Sequence, residues 1–245
     1  MHKNTLLFII LALFAGFVGG FWLANSLNRS AINTAAPQTS SAASNANSPQ
    51  IKGELDLTDE EINAKIAEAD KNAGNFGFQK ELGTALYHYS AMKQDFNLLT
   101  EAARILNRAN SLKSKDLDVL TALGHAHFDI GFAKKDAAEY QKAREIYTDA
   151  LEIKPGDADI STDLGLTYFL QEPPSYDKAA AQLQKVIDAN PKHTRSLQFI
   201  VRVLIKQNKL PEAEKALEKL RSIDPNYNVI PELTSELSAA RGGGQ

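Results

Sequence analysis

Apolar and polar residues alternate along this chain in three distinct ways. From Leu6 to Ala24, "LLFIILALFAGFVGGFWLA", there is no polar side chain over 19 residues. Wound as a helix at 1.5 Å per residue, that run matches the hydrocarbon thickness of a bilayer. From Ser30 to Gln50 the pattern inverts, with no charge and Ile32 as the sole large apolar residue. Such a stretch buries too little surface to offset the entropy of ordering, which predicts a flexible tether. From Thr58 onward apolar residues recur at helical spacing, beginning with Ile62, Ile66, Ala69 and Ala73. Thr58 and Glu61 have the spacing of a capping box, in which each side chain reaches the other's backbone N–H. No later segment alternates in the manner of strands, so the expectation is an all-α domain behind one membrane helix.

Within the helical region the pattern repeats. Leu82-Gly83, Leu123-Gly124 and Leu164-Gly165 stand 41 residues apart, and each pair is followed by an aromatic at Tyr87, Phe128 and Phe169. A second helix then carries small residues at Ala102, Ala143, Ala179 and Ala213, at spacings of 41, 36 and 34. Pro155, Pro191 and Pro225 close the last three of these helices, which proline cannot continue. In the fourth unit Ile200-Val201 takes the place of Leu-Gly.

This series resembles the tetratricopeptide repeat, a 34-residue helix-turn-helix unit with a small residue on each helix and a closing proline. The resemblance covers Phe76 to Asn226 and implies a solenoid of stacked helix pairs. Units one and two exceed the family length by seven residues, about two helical turns, which preserves the facing of a buried stripe. The surplus of the third unit falls in "QEPPSYD". The chain thus divides into an anchor at 1–24, a tether at 25–57 and a capping helix at 58–75. Repeat units follow at 76–115, 116–156, 157–192 and 193–227, then a second capping helix and Gly-rich tail at 228–245. Gly242 is expected just past the last helix as its stop.

Composition narrows the function. Twenty-seven Lys and Arg face 30 Asp and Glu, which gives no electrostatic basis for binding nucleic acid. The absence of cysteine excludes a disulfide framework, a Cys-based zinc site and a lipid anchor on Cys. Lys3 and the terminal amine precede the apolar run and Arg29 follows it. This charge order predicts a cytoplasmic N-terminus and a domain outside the inner membrane of a bacterium. Cleavage near "ANS" at Ala24 to Ser26 is the alternative to a retained anchor. Ala12, Gly16 and Gly20 share one face of the span at a spacing that permits helix pairing.

Binding residues are expected on the first helix of each unit, which lines the concave face in repeats of this kind. Tyr87 lies nine residues past Phe78, half a turn away from the buried stripe, and Phe128 and Phe169 occupy matching places. These three aromatics are read as a ladder toward a ligand; packing against the neighbouring first helix is the structural alternative. Their neighbours on that face are Lys80, Thr84 and His88, then Thr121, His125 and Asp129, then Thr162, then Arg195 and Arg202. The carboxylate clamp of chaperone-binding family members is not matched: Thr84 replaces its Asn, and Asp159 and Asp163 stand in later basic places. His125 and His127, two apart on a helix, point to different faces and do not chelate one metal. No Gly-rich phosphate loop, HExxH or nucleophile elbow occurs, so neither catalysis, nor a metal, nor a cofactor is expected.

Anchor, tether and repeats together resemble the tetratricopeptide subunit of bacterial cytochrome c maturation and, equally, ancillary factors of the secretion translocon. The resemblance implies a non-catalytic scaffold that binds a peptide or unfolded protein client near the membrane. The alternative is an assembly component that self-associates through the membrane helix or the solenoid faces. A lesser one is an organellar import receptor of inverted topology.

Overall fold

The structure is a computed structural model that describes residues 57–242. Those residues form ten α-helices, and no strand occurs among them. The helices are α1 (Asp59–Lys71), α2 (Phe76–Lys93), α3 (Phe96–Leu112), α4 (Leu117–Lys134) and α5 (Ala137–Ile153). They continue with α6 (Ala158–Leu170), α7 (Tyr176–Ala189), α8 (Thr194–Lys206), α9 (Leu210–Ile223) and α10 (Ile230–Gly242). The apolar run Leu6–Ala24 and the helix-packing residues Ala12, Gly16 and Gly20 lie outside the described residues. Among those described, no helix is long and apolar enough to cross a membrane.

Side-chain caps set most helix starts. Thr58 and Glu61 form the expected capping box ahead of α1. Asn75, Asp95, Asp116, Asp136 and Asp157 each accept a first-turn backbone N–H, satisfying donors that a helix leaves unpaired. Where α9 lacks a side-chain cap, Pro211 stands in its first turn, where its missing N–H costs nothing. Two boundaries differ from expectation. α1 ends at Lys71, so Ala73 lies in the following turn and is exposed, and Gly242 is the last residue of α10 rather than a stop beyond it.

Each first helix packs on the second helix of its own pair: α2 on α3, α4 on α5, α6 on α7 and α8 on α9. The Leu-Gly positions sit at these crossings. A Cβ placed on Gly124 would come within 2.5 Å of the Tyr147 ring, so only hydrogen fits. In the fourth pair, Val201 takes the equivalent place and is fully buried. First helices also touch the first helix of the next pair, α2 with α4, α4 with α6 and α6 with α8, more closely than successive second helices touch one another. The stack is therefore curved, with first helices on the inner side and second helices splayed on the outer.

Two apolar cores run through the stack. One gathers residues of α1 to α4, including Ile62, Leu82, Leu106, Leu123 and Ile130. The other runs from α4 to α10 and includes Tyr140, Tyr147, Leu183, Leu217 and Leu233. Helix α4 contributes to both, with Leu123 and Ile130 on one side and Leu120 and Phe128 on the other.

Candidate functional site

The first helices carry a line of polar side chains whose partners are one unit away. Lys80 of α2 donates to Asp116 and Asp118 at the start of α4, each at 2.7 Å. Tyr87 of α2 donates its hydroxyl to Asp129 of α4 at 3.0 Å in a buried bond. His125 of α4 meets Asp163 of α6 at 3.1 Å. Asp163 also pairs with Arg195 of α8, and Thr162 meets Ser196 at 2.6 Å. Arg202 of α8 donates from Nε to Glu236 of α10 at 3.0 Å and pairs with Glu232. Each bond links neighbouring units, so the inner face is fastened end to end by polar contacts.

The electrostatics follow from burial. Asp129 is buried with the Tyr87 hydroxyl as its hydrogen-bond partner, and burial raises its carboxyl to about 7. For Asp163 burial also favours the neutral form, but the Arg195 guanidinium and His125 outweigh it and hold the carboxyl below its usual value. Burial lowers His88, with the nearby His125 adding to the effect. Tyr87 and Tyr147 are raised well above the ordinary phenol value, first by burial and then by these carboxylates. The Arg195 guanidinium thus matches Asp163, whereas Asp129, beside the Tyr87 hydroxyl, holds its proton toward neutral pH.

The expected aromatic ladder is corrected by these placements. Tyr87 and Phe128 are each only 5% exposed and cannot face a ligand as they stand. Tyr87 packs beside His88 and His125 with ring centres at 5.2 and 6.1 Å. Phe128 and Phe169 turn instead onto the second helix of their own pair. They meet Tyr140 at 5.6 Å and Tyr176 at 5.9 Å, and Phe169 stays half-buried. Asp129, Thr162 and Arg202 are buried as well. Lys80, Thr84, His88, Thr121, His125 and Arg195 are half-buried on the inner face, and Thr121 is occupied by a bond to the Leu117 carbonyl. Asp118 and Asp159, whose side chains are 77% and 56% exposed, are its most open charges. His125 and His127 do diverge: His127 meets Glu139 at 2.6 Å and Asn107 at 3.3 Å. No group of metal-ligating side chains occurs among the described residues.

Comparison with known proteins accords with this geometry. Models described as tetratricopeptide repeat match residues 122–157 and 175–230. The chain carries tetratricopeptide repeats. No curated protein matches it by sequence. Among solved structures, a crystal structure of MamA superposes with a TM-score of 0.54 at 23% identity, covering 68% of this chain and 88% of that one. MamA from Desulfovibrio magneticus RS-1 gives 0.54 at 16% identity, over 69% and 86%. A tetratricopeptide repeat protein from Parabacteroides merdae ATCC 43184 gives 0.58 at 21% identity, over 75% and 65%. At these identities the likeness speaks for the fold alone: an all-helical tetratricopeptide solenoid.

Proposed function

We propose that the chain is a membrane-tethered, non-catalytic adaptor that holds an extended segment of a protein client along its inner face. In this reading it works outside the cytoplasmic membrane of a bacterium, in cytochrome c maturation or envelope protein biogenesis. The observation that carries the proposal is the fastened inner face. Polar bonds between successive first helices fix the surface before any partner arrives, so less entropy is lost on binding. Its open charges are Asp118 and Asp159, with the half-buried Lys80 and Arg195 beside them. This mix of both signs suits side-chain contacts with an extended polypeptide.

Photo-crosslinking in cells tests this. A photo-reactive residue at Asp118 or Asp159 of the full-length protein is expected to capture a discrete client. The same residue at the exposed Glu218 on α9 is expected to capture none. Equal yields at all three positions would remove the inner face as the site. Capture of the chain's own copies alone would replace the adaptor with a self-assembling component.

A further inference from the structure

The outer side of the stack holds a second surface of different chemistry. A groove of about 580 Å³ lies between α5, the end of α6 and the start of α7. On one side of it the Arg144 guanidinium sits 4.9 Å from the centre of the Tyr168 ring, and the Lys178 ammonium lies 5.7 Å from the same ring. Two cations beside one ring repel each other, and an anion that reaches both relieves that.

Arg144 differs from the other arginines of the described residues. Arg104 and Arg108 pair with Asp70, Arg195 with Asp163, Arg202 with Glu236 and Arg241 with Glu214. Arg221 donates to the Thr234 hydroxyl on an exposed surface. Arg144 is half-buried and donates only to the neutral amide of Gln171, at 3.0 Å. Burial lowers its pKa, outweighing the opposite pull of Tyr168 and Glu145 nearby. Its sequence neighbour Glu145 makes no ion pair with it, accepting a bond from Gln141 at 3.2 Å, and favours the charged guanidinium only through space. Glu145 and Asp149 make the α5 edge of the groove acidic. A polyanion is repelled there, which excludes nucleic acid; a lone carboxylate with a cation beside it is not.

We propose that this outer groove binds a peptide segment that places a side-chain carboxylate between Arg144 and Lys178 and a neighbouring basic residue toward Glu145 and Asp149. It is a second docking surface, separate from the inner face and independent of whether that face holds a client. The step from 17-residue α5 to 14-residue α7 lies beside it, at the junction of long and short units.

The test uses the full-length protein in detergent micelles and a fluorescent peptide with blocked ends, Gly-Asp-Lys-Gly, read by anisotropy. Saturable binding is expected. It should weaken at least tenfold when the peptide aspartate becomes asparagine, and likewise in Lys178→Gln, an exposed position whose change leaves the fold intact. Arg144→Gln should abolish it, while Arg221→Gln leaves it unchanged. A tetra-aspartate peptide should bind more weakly than Gly-Asp-Lys-Gly. The proposal is overturned if no binding saturates, if the asparagine peptide binds equally, or if Lys178→Gln and Arg221→Gln behave alike.

Discussion

The two halves of the domain solve the same packing problem with different lengths of helix. Units one and two use helices of 18 and 17 residues; units three and four use 13 and 14. The crossings survive the change, since Gly83, Gly124 and Gly165 each still meet the second helix of their pair. The third unit differs in how its pair turns. In the long units the chain reverses at Gln94 and Lys135, held at φ of 58° and 53°, and the next residue, Asp95 or Asp136, caps the following helix at once. The third unit spends residues 171–175 on its turn instead. The fourth unit has short helices yet turns through Asn208 at φ 58°, so helix length does not follow the turn. In the first three units the small residue fixes where the helices cross.

Individual inner-face links also differ in burial, and the largest expected effect tests that. Arg195→Gln leaves Asp163 buried without its cation and should cost about 3–5 kcal/mol in urea denaturation at pH 7. Lys80→Gln removes a half-buried cation whose partners are the open Asp118 and the more enclosed Asp116, and should cost about 1 kcal/mol. Equal costs would mean that the two inner-face links are equivalent.

Acidity discriminates next. The Asp129 carboxyl is raised to about 7 in the fold, against roughly 3.9 in an unfolded chain. Between these values the folded state holds the extra proton, so this group's contribution is lost as pH rises through the window. The slope is at most ~1.4 kcal/mol per pH unit. Asp163 is lowered, so its contribution is present above the unfolded value and is lost only in more acidic solution. His88, also lowered, acts in the opposite sense to Asp129 below about 6.5. Comparing the wild type with Asp129→Asn therefore isolates one group. The variant should gain stability relative to the wild type from pH 5 to pH 8, and parallel curves would show that Asp129 does not titrate there.

Crossing tightness gives a third contrast. Gly124→Ala drives a methyl into the Tyr147 ring and should destabilise by about 1–3 kcal/mol. Gly165→Ala meets Leu183 at 3.2 Å, a side chain that can shift, and the gain in helix propensity should leave the change within about 0.5 kcal/mol. Thermal midpoints of both variants decide it. The smallest effect is at the turns. Lys135→Gly relieves a left-handed residue and should stabilise by ~0.5–1 kcal/mol, while Asn208→Gly, at φ 58°, should change less because asparagine tolerates that region.

Periodicity showed the helices, their pairing and the crossing glycines, because each depends on residues a few positions apart. It misplaced Tyr87 and Phe128. The half-turn argument assumes one buried stripe per helix, but a first helix in a curved stack has neighbours on several sides. The sequence does carry a sign of this: "LTALGHAHFDIGFA" in α4 is apolar nearly all round, the mark of a helix enclosed by others. The links from Lys80 to Asp116 and from Arg195 to Asp163 span 36 and 32 residues and have no local signature. Arg144 and Lys178 were missed for the same reason, as only the meeting of α5, α6 and α7 brings both to Tyr168.

The sharing of α4 between two cores bears on how the molecule yields under load. A pull from the amino-terminal side reaches α1 first, whose ties are the Asp70 bonds to Arg104 and Arg108 and the Gln79 bond to the Ala69 carbonyl. Peeling α1 to α3 consumes one core, and the rupture then meets α4, still seated on α5 and α6 by Leu120 and Phe128. Tearing it away opens the second core as well, so extension should proceed in two steps of force, with a pause at α4.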